Sequence, residues 1–173
     1  GRPLRSILAI YNKKVLFFTY GHLKSNDFTY IEKDLEIKTK KITNFKDYQK
    51  LLLSNNIIID QKEREKKIIK KFESLYKLKN FKNLYDTKLL KEVTNIVEDP
   101  HVLLINFDKK YLDLPKEIII STLQNHQRYF PIFDKKDNLT NNFFIVADTV
   151  DPKGFVKVGN ERVVDARLSD AEF

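Results

Sequence analysis

The sequence predicts a mixed α/β to α+β fold, a mixed sheet built from hairpins with helices packed on it in a single compact domain. Three observations predict this class. Short period-two apolar runs and helical i, i+3, i+4 stripes follow one another in irregular alternation, with no internal repeat. The 173 residues are one domain's worth of chain, and 13 Phe and 8 Tyr supply bulk for a core. No low-complexity linker interrupts them. Residues 1–150 are expected to form the mixed domain, and residues 151–173 a helix continuing toward the next domain of a longer chain.

The opening runs Ser6–Tyr11 and Val15–Thr19 flank Asn12-Lys13-Lys14 and predict a β-hairpin. The polar stretch from Gly21 to Asp27 reads as a loop, and Phe28–Thr39 as one or two strands. Thr43 is placed to cap a helix carrying Phe45, Tyr48, Leu51 and Leu52, which Asn55-Asn56 ends. Ile57–Ile59 reads as a short buried strand. From Asp60 to Lys79 runs a basic helix whose apolar stripe is Ile68, Phe72, Leu75 and Tyr76. A second helix, Asp86–Val97, turns Leu89, Leu90, Val93 and Val97 inward, and Pro100 closes it.

His101–Phe107 reads as a strand. Pro115 fits the first turn of a helix that reaches His126. Tyr129–Phe133 and Phe143–Val146 flank a polar turn and predict a second hairpin, with Pro131 marking an edge strand or a bulge. Asp151-Pro152 provides a cap and helix start. Gly159 either interrupts that helix or precedes a new one bearing Val164, Leu168 and Ala171.

Composition narrows the function classes. The chain is 42% hydrophobic and 32% charged, with no Cys, which excludes disulfides, thiol nucleophiles and Cys-based metal sites. The three His lack metal-ligand spacing, and the only suggestive neighbours are Asp99 and His101. With 4 Gly there is no phosphate-cradling Gly-rich loop. No apolar run approaches the roughly 18 residues of a bilayer span. The absence of an initiator Met and of a leader, with an end inside a helix, reads as a soluble intracellular piece of a longer protein. The net charge of +8 attracts polyanions, RNA among them.

Three clusters carry candidate chemistry. Asn125-His126-Gln127-Arg128-Tyr129-Phe130-Pro131 joins planar donors to aromatic faces, a combination suited to unpaired bases or phosphate. Its structural reading extends the Ile119, Leu123 stripe to His126 as a buried helix end. Lys66, Lys67 and Lys70 of the basic helix are placed for phosphates, or form a solvated face interrupted by Glu63, Glu65 and Glu73. Arg162 belongs to a charged helix in which Arg162–Asp165 and Arg167–Asp170 fall at i, i+3. The RNA-contact candidates that emerge are Arg128, Tyr129, Gln127, Lys66, Lys67, Lys70 and Arg162, with no catalytic residue and no metal ligand.

Four stretches carry a family likeness. Arg2-Pro3-Leu4-Arg5 precedes the first hairpin. Leu90-Lys91-Glu92-Val93-Thr94-Asn95-Ile96-Val97-Glu98-Asp99-Pro100, His126-Gln127-Arg128-Tyr129-Phe130-Pro131 and Gly159-Asn160-Glu161-Arg162 through Ala171 follow in order, with Asp60 and Arg64 fitting a weaker pattern. On these the sequence resembles the beta subunit of bacterial glycyl-tRNA synthetase. It departs from that family after the first hairpin, where no Gly-His-Arg-Phe follows Thr29.

The resemblance implies an internal segment similar to the editing-type α/β domain of phenylalanyl-tRNA synthetase. It implies a cytoplasmic ligase that uses ATP and magnesium on its alpha subunit, with no cofactor in this segment. The implied partners are the tRNA for glycine, the alpha subunit and the rest of the beta subunit, with no membrane. Three roles stay open at this point: tRNA binding and positioning, deacylation of mischarged tRNA, and pure architecture.

Overall fold

The computed structural model describes residues 4–33 and 36–172. The mixed α/β class is as the sequence predicts. Contacts group into two compact units, residues 1–59 and residues 60–173. The partition thus falls at 59/60, and the C-terminal helix shares a core with the larger unit.

The smaller unit holds strands β1 (Ile7–Leu8), β2 (Ile10–Tyr11), β3 (Lys14–Val15), β4 (Thr19–Tyr20), β5 (Leu23–Asn26), β6 (Phe28–Lys33) and β7 (Glu36–Lys41), then helix α1 (Phe45–Ser54). The first hairpin is β2–β3. Asn12 and Lys13 turn it with φ of 48° and 64°, both in the left-handed region that tight two-residue turns require. β1 leaves that hairpin and pairs in parallel with β5, which also pairs antiparallel with β4.

The polar stretch expected as a loop is therefore largely a strand. Its buried Ser25 explains why. The hydroxyl donates to Leu16 O at 2.6 Å and accepts from Phe18 N at 2.9 Å, so a polar residue is satisfied inside the unit. β6 and β7 form a hairpin in which Phe28 faces Lys41 and Tyr30 faces Thr39. The N-cap of α1 is Asn44 rather than Thr43; the Thr43 hydroxyl instead donates to Asp47. Ile57–Ile59 is not a strand, because Ile57 N closes back onto Leu52 O at 2.9 Å. Arg2 and Pro3 of the opening motif lie outside the described residues; Arg5 pairs with Glu32 at 3.0 Å.

The larger unit holds α2 (Gln61–Leu78), α3 (Thr87–Ile96), β8 (His101–Asn106), a 3-10 turn (Lys109–Asp113), α4 (Lys116–Ser121), β9 (Phe130–Phe133), β10 (Leu139–Ala147) and α5 (Phe155–Asp170). β10 is central in an antiparallel sheet ordered β8-β10-β9. Pro131 thus sits on an edge strand, and the β9–β10 register shifts between Leu139 and Phe143.

Both faces of this sheet are covered. Phe144, Val102, Phe130 and Ile132 meet Ile68, Phe72 and Tyr76 of α2 and Leu89, Leu90 and Val93 of α3. Phe143, Ile145 and Ile105 meet Ile119 of α4 and Val164 and Leu168 of α5. Strand periodicity sends adjacent Phe143 and Phe144 into opposite cores. Each fully buried ring contributes about 1.5–3 kcal/mol.

Two helices of this unit start on aspartate caps. Asp60 accepts from Lys62 N and Glu63 N, and Asp86 from Lys88 N and Leu89 N. Pro115 stands at the N-cap of α4, one place before the first turn. The Asp151 carboxylate accepts from Val156 N and Lys157 N, but α5 starts at Phe155 after Gly154, whose φ of 72° favours glycine. α5 runs unbroken through Gly159.

Candidate nucleic-acid interface

The α4 helix does not continue as an α-helix to His126. Residues Thr122–His126 form a π-helical turn, with wider i→i+5 bonding. Leu123 stays buried, but the extra residue per turn rotates His126 off the Ile119, Leu123 stripe and into solvent. The expected buried His126 is thereby corrected. It lines an open cavity of about 480 Å³ together with Glu117, Ser121, Thr122, Arg167 and Asp170. Among the described residues His126 has no hydrogen-bond partner to orient it.

After the π-turn Arg128 adopts φ 57°. This conformation aims its guanidinium at α3, where Nε donates to Glu92 Oε1 at 2.5 Å. The next ring turns the other way. Tyr129 is half-buried and stacks on Phe143, with centroids 5.3 Å apart and planes 17° apart. Its hydroxyl donates to Asn160 Oδ1, and Asn160 Nδ2 donates to Val156 O at 2.7 Å. Burial pushes the Tyr129 phenol above its ordinary value, so it stays a donor. Gln127, half-buried, ends the π-turn.

The other motif residues also bind one another. Arg64 Nε donates to Thr94 O at 3.0 Å, and Gln61 Nε2 to Asn95 Oδ1 at 2.7 Å, tying α2 to α3. Lys67 bonds Asp99 at 2.7 Å, and His101 Nε2 lies 2.9 Å from the other Asp99 oxygen, although too far off line for a hydrogen bond. Burial raises the Asp99 pKa, but the Lys67 hydrogen bond and the nearby Lys67 and His101 groups outweigh it and hold the carboxyl below its ordinary value. Asp148 accepts from Glu98 N and Asp99 N, a contact sequence reading missed for want of any local signal across 49 residues.

The seven candidates therefore divide. Arg128, Lys66 and Lys67 are exposed or partly exposed but paired, Lys66 to Glu63 at 2.8 Å. Tyr129 is committed to the core face. Lys70 and Arg162 are exposed, with no ion pair among the described residues. The expected Arg162–Asp165 and Arg167–Asp170 pairs do not form; Asp165 instead accepts from Asp108 N at 3.3 Å. Charge is also uneven along the chain. Residues 1–59 carry 11 Lys and Arg against 5 Asp and Glu, whereas residues 60–173 carry 21 against 19.

Comparison with known proteins bears out the family likeness. The family model of the glycyl-tRNA synthetase beta subunit matches residues 1–173. The chain is 41% identical to the glycine–tRNA ligase beta subunit of Rickettsia akari (strain Hartford), over 98% of this chain and 26% of that protein. It is 38% identical to that of Dictyoglomus turgidum (strain DSM 6724 / Z-1310), over 100% of this chain and 25% of that protein. The chain thus spans about a quarter of the length of these relatives. A match along all 173 residues means that the chain belongs to the glycyl-tRNA synthetase beta subunit family.

Proposed function

We propose that the chain is a noncatalytic part of the beta subunit of a cytoplasmic glycine–tRNA ligase, in which it positions tRNA while a separate alpha subunit activates glycine with ATP. The family match over residues 1–173 carries this reading. The basic excess supports the tRNA role, since Lys and Arg that neutralise phosphates release counterions. Among the described residues no helix is long and apolar enough to cross a membrane.

An architectural role for the His126–Pro131 stretch has its own support. Arg128 pairs with Glu92 of α3 and Tyr129 with Asn160 of α5, so the stretch joins two helices on opposite faces of the sheet. Editing has weaker physical grounds. Glycine is the smallest amino acid, so a tight activating pocket rejects larger side chains by steric exclusion, and no smaller near-isostere calls for a second sieve.

A titration of glycine tRNA with the chain between 50 and 200 mM salt tests the reading. The expected affinity falls steeply with salt, by a slope near −0.9 for each phosphate neutralised, to order of magnitude. Absence of binding at the lowest salt overturns the tRNA role for this chain.

A further inference from the structure

Helix α2 carries 7 basic residues against 3 acidic ones, but most of the chain's net charge lies in the smaller unit, with 11 against 5. That unit also contains a cavity of about 580 Å³, within the range of about 300–1,000 Å³ common for small-ligand sites. Its lining combines three kinds of surface. Buried Ile42 supplies apolar wall. The rings of Phe45 and Tyr48 on the first turn of α1, with centroids 6.5 Å apart and planes tilted 36°, supply aromatic faces. The β2–β3 turn supplies Asn12 and Lys13.

The polar groups of this rim are in two different states. Thr43 and Asn44 are committed, both side chains donating to Asp47 at 2.8 and 2.6 Å. Those bonds fix the start of α1 and hence the two rings. Asn12 and Lys13 have no side-chain partner among the described residues, although their turn is fixed by two left-handed φ values. Beside the turn, exposed Tyr11 stands opposite Lys14 and extends the aromatic-basic pairing. Phe45 is 66% exposed although it flanks a cavity, a cost in apolar hydration that a stacked ligand removes.

We propose that this cavity docks one unpaired base of a single-stranded RNA segment, the base lying against Phe45 and Tyr48, its edge meeting the Asn12 amide and its phosphate meeting Lys13. Ring faces take any base, because every base has a π-face, while a duplex keeps its bases stacked and out of reach. An acidic peptide answers the charge but leaves the rings unused. The inference rests on the reading that the chain contacts tRNA, and locates that contact in the smaller unit instead of on α2.

The chain contains no Trp, so Phe45→Trp introduces a unique reporter at an exposed position. Titration of that variant with an oligouridylate is expected to quench its emission, whereas polyglutamate at equal charge is not. Phe45→Ala is expected to weaken oligouridylate binding about tenfold or more. Lys13→Ala is expected to lower the salt slope by about one. Lys70→Ala, on α2, is expected to change neither, and circular dichroism of each variant checks folding. Unchanged emission, or equal quenching by polyglutamate, overturns the docking site even if tRNA still binds. Quenching by oligouridylate without any tRNA affinity keeps the docking site and overturns the tRNA role instead.

Discussion

Arg128 and Glu92, 36 residues apart in sequence, meet at 2.5 Å because Arg128 is held at φ 57° after a π-helical turn. The backbone conformation and the ion pair depend on one another. An ordinary α-helical end would place residue 128 elsewhere and leave Glu92 facing water. The run from His126 to Pro131 is thereby committed to joining helices.

Removing this contact is expected to cost little stability. Both side chains are about half exposed, and such pairs contribute about 0.2–1 kcal/mol. Arg128→Ala, Glu92→Ala and the double variant, compared by urea unfolding, are expected to show a coupling energy within that range. A coupling near zero means that the pair is incidental. A tRNA affinity that falls with Arg128→Ala at unchanged stability assigns Arg128 to the RNA instead.

Phe72 lies at the centre of one core, its ring 4.9 Å from both Phe130 and Phe144, 5.5 Å from Tyr85 and 6.2 Å from Tyr76. Phe72→Ala is expected to destabilise the larger unit by about 3–5 kcal/mol, read as a drop in the denaturant midpoint. A loss below about 1 kcal/mol contradicts the packing described.

Asp99 predicts a pH dependence of defined sign. Its folded pKa lies below the ordinary 3.8, so its contribution is complete above that value and is lost as pH falls through the folded value. Asp99→Asn is expected to cost about 1 kcal/mol at neutral pH, since Lys67 is 41% exposed and partly screened. The gap between wild type and variant closes under strongly acidic conditions. A gap that widens on acidification reverses the sign and removes the Lys67–Asp99 account.

The cavity beside His126 makes a chemical prediction. A general base needs a partner that orients its imidazole, and His126 has none among the described residues. Mischarged glycine tRNA incubated with the chain is therefore expected to keep its spontaneous ester lifetime. Accelerated hydrolysis that His126→Ala abolishes establishes the deacylase reading.

Local patterns made much of the larger unit legible. The stripe Ile68, Phe72, Leu75 and Tyr76 needs only helical periodicity to read, and Asp60 and Asp86 cap where short acidic side chains precede helices. The central strand begins at Leu139, earlier than its Phe-rich run, because Thr140 and Asn142 satisfy polar needs in a way that periodicity does not register. β5 was hidden for a similar reason. Leu23-Lys24-Ser25-Asn26 has loop-like composition, and its strand identity comes from partners on both sides.

The candidate site was legible in its members and illegible in its pairings. The clusters around Glu92, Arg128 and Asn160 stand out in the sequence, but nothing local says that Arg128 closes onto Glu92 or that Tyr129 reaches Asn160. The π-turn at Thr122–His126 has no compositional marker, and it decides where His126 points. In the smaller unit, Phe45 and Tyr48 read as a helix stripe. Only the fold brings Asn12 and Lys13 beside them.

The neighbours Phe143 and Phe144 give β10 a further property. Each ring completes a different hydrophobic layer, so one inserted or deleted residue between Asn142 and Val146 would exchange the contents of both layers at once. A mispaired sheet could not keep half of its native packing as a compromise. The strand thus acts as a proofreader of assembly, intolerant of any change in spacing.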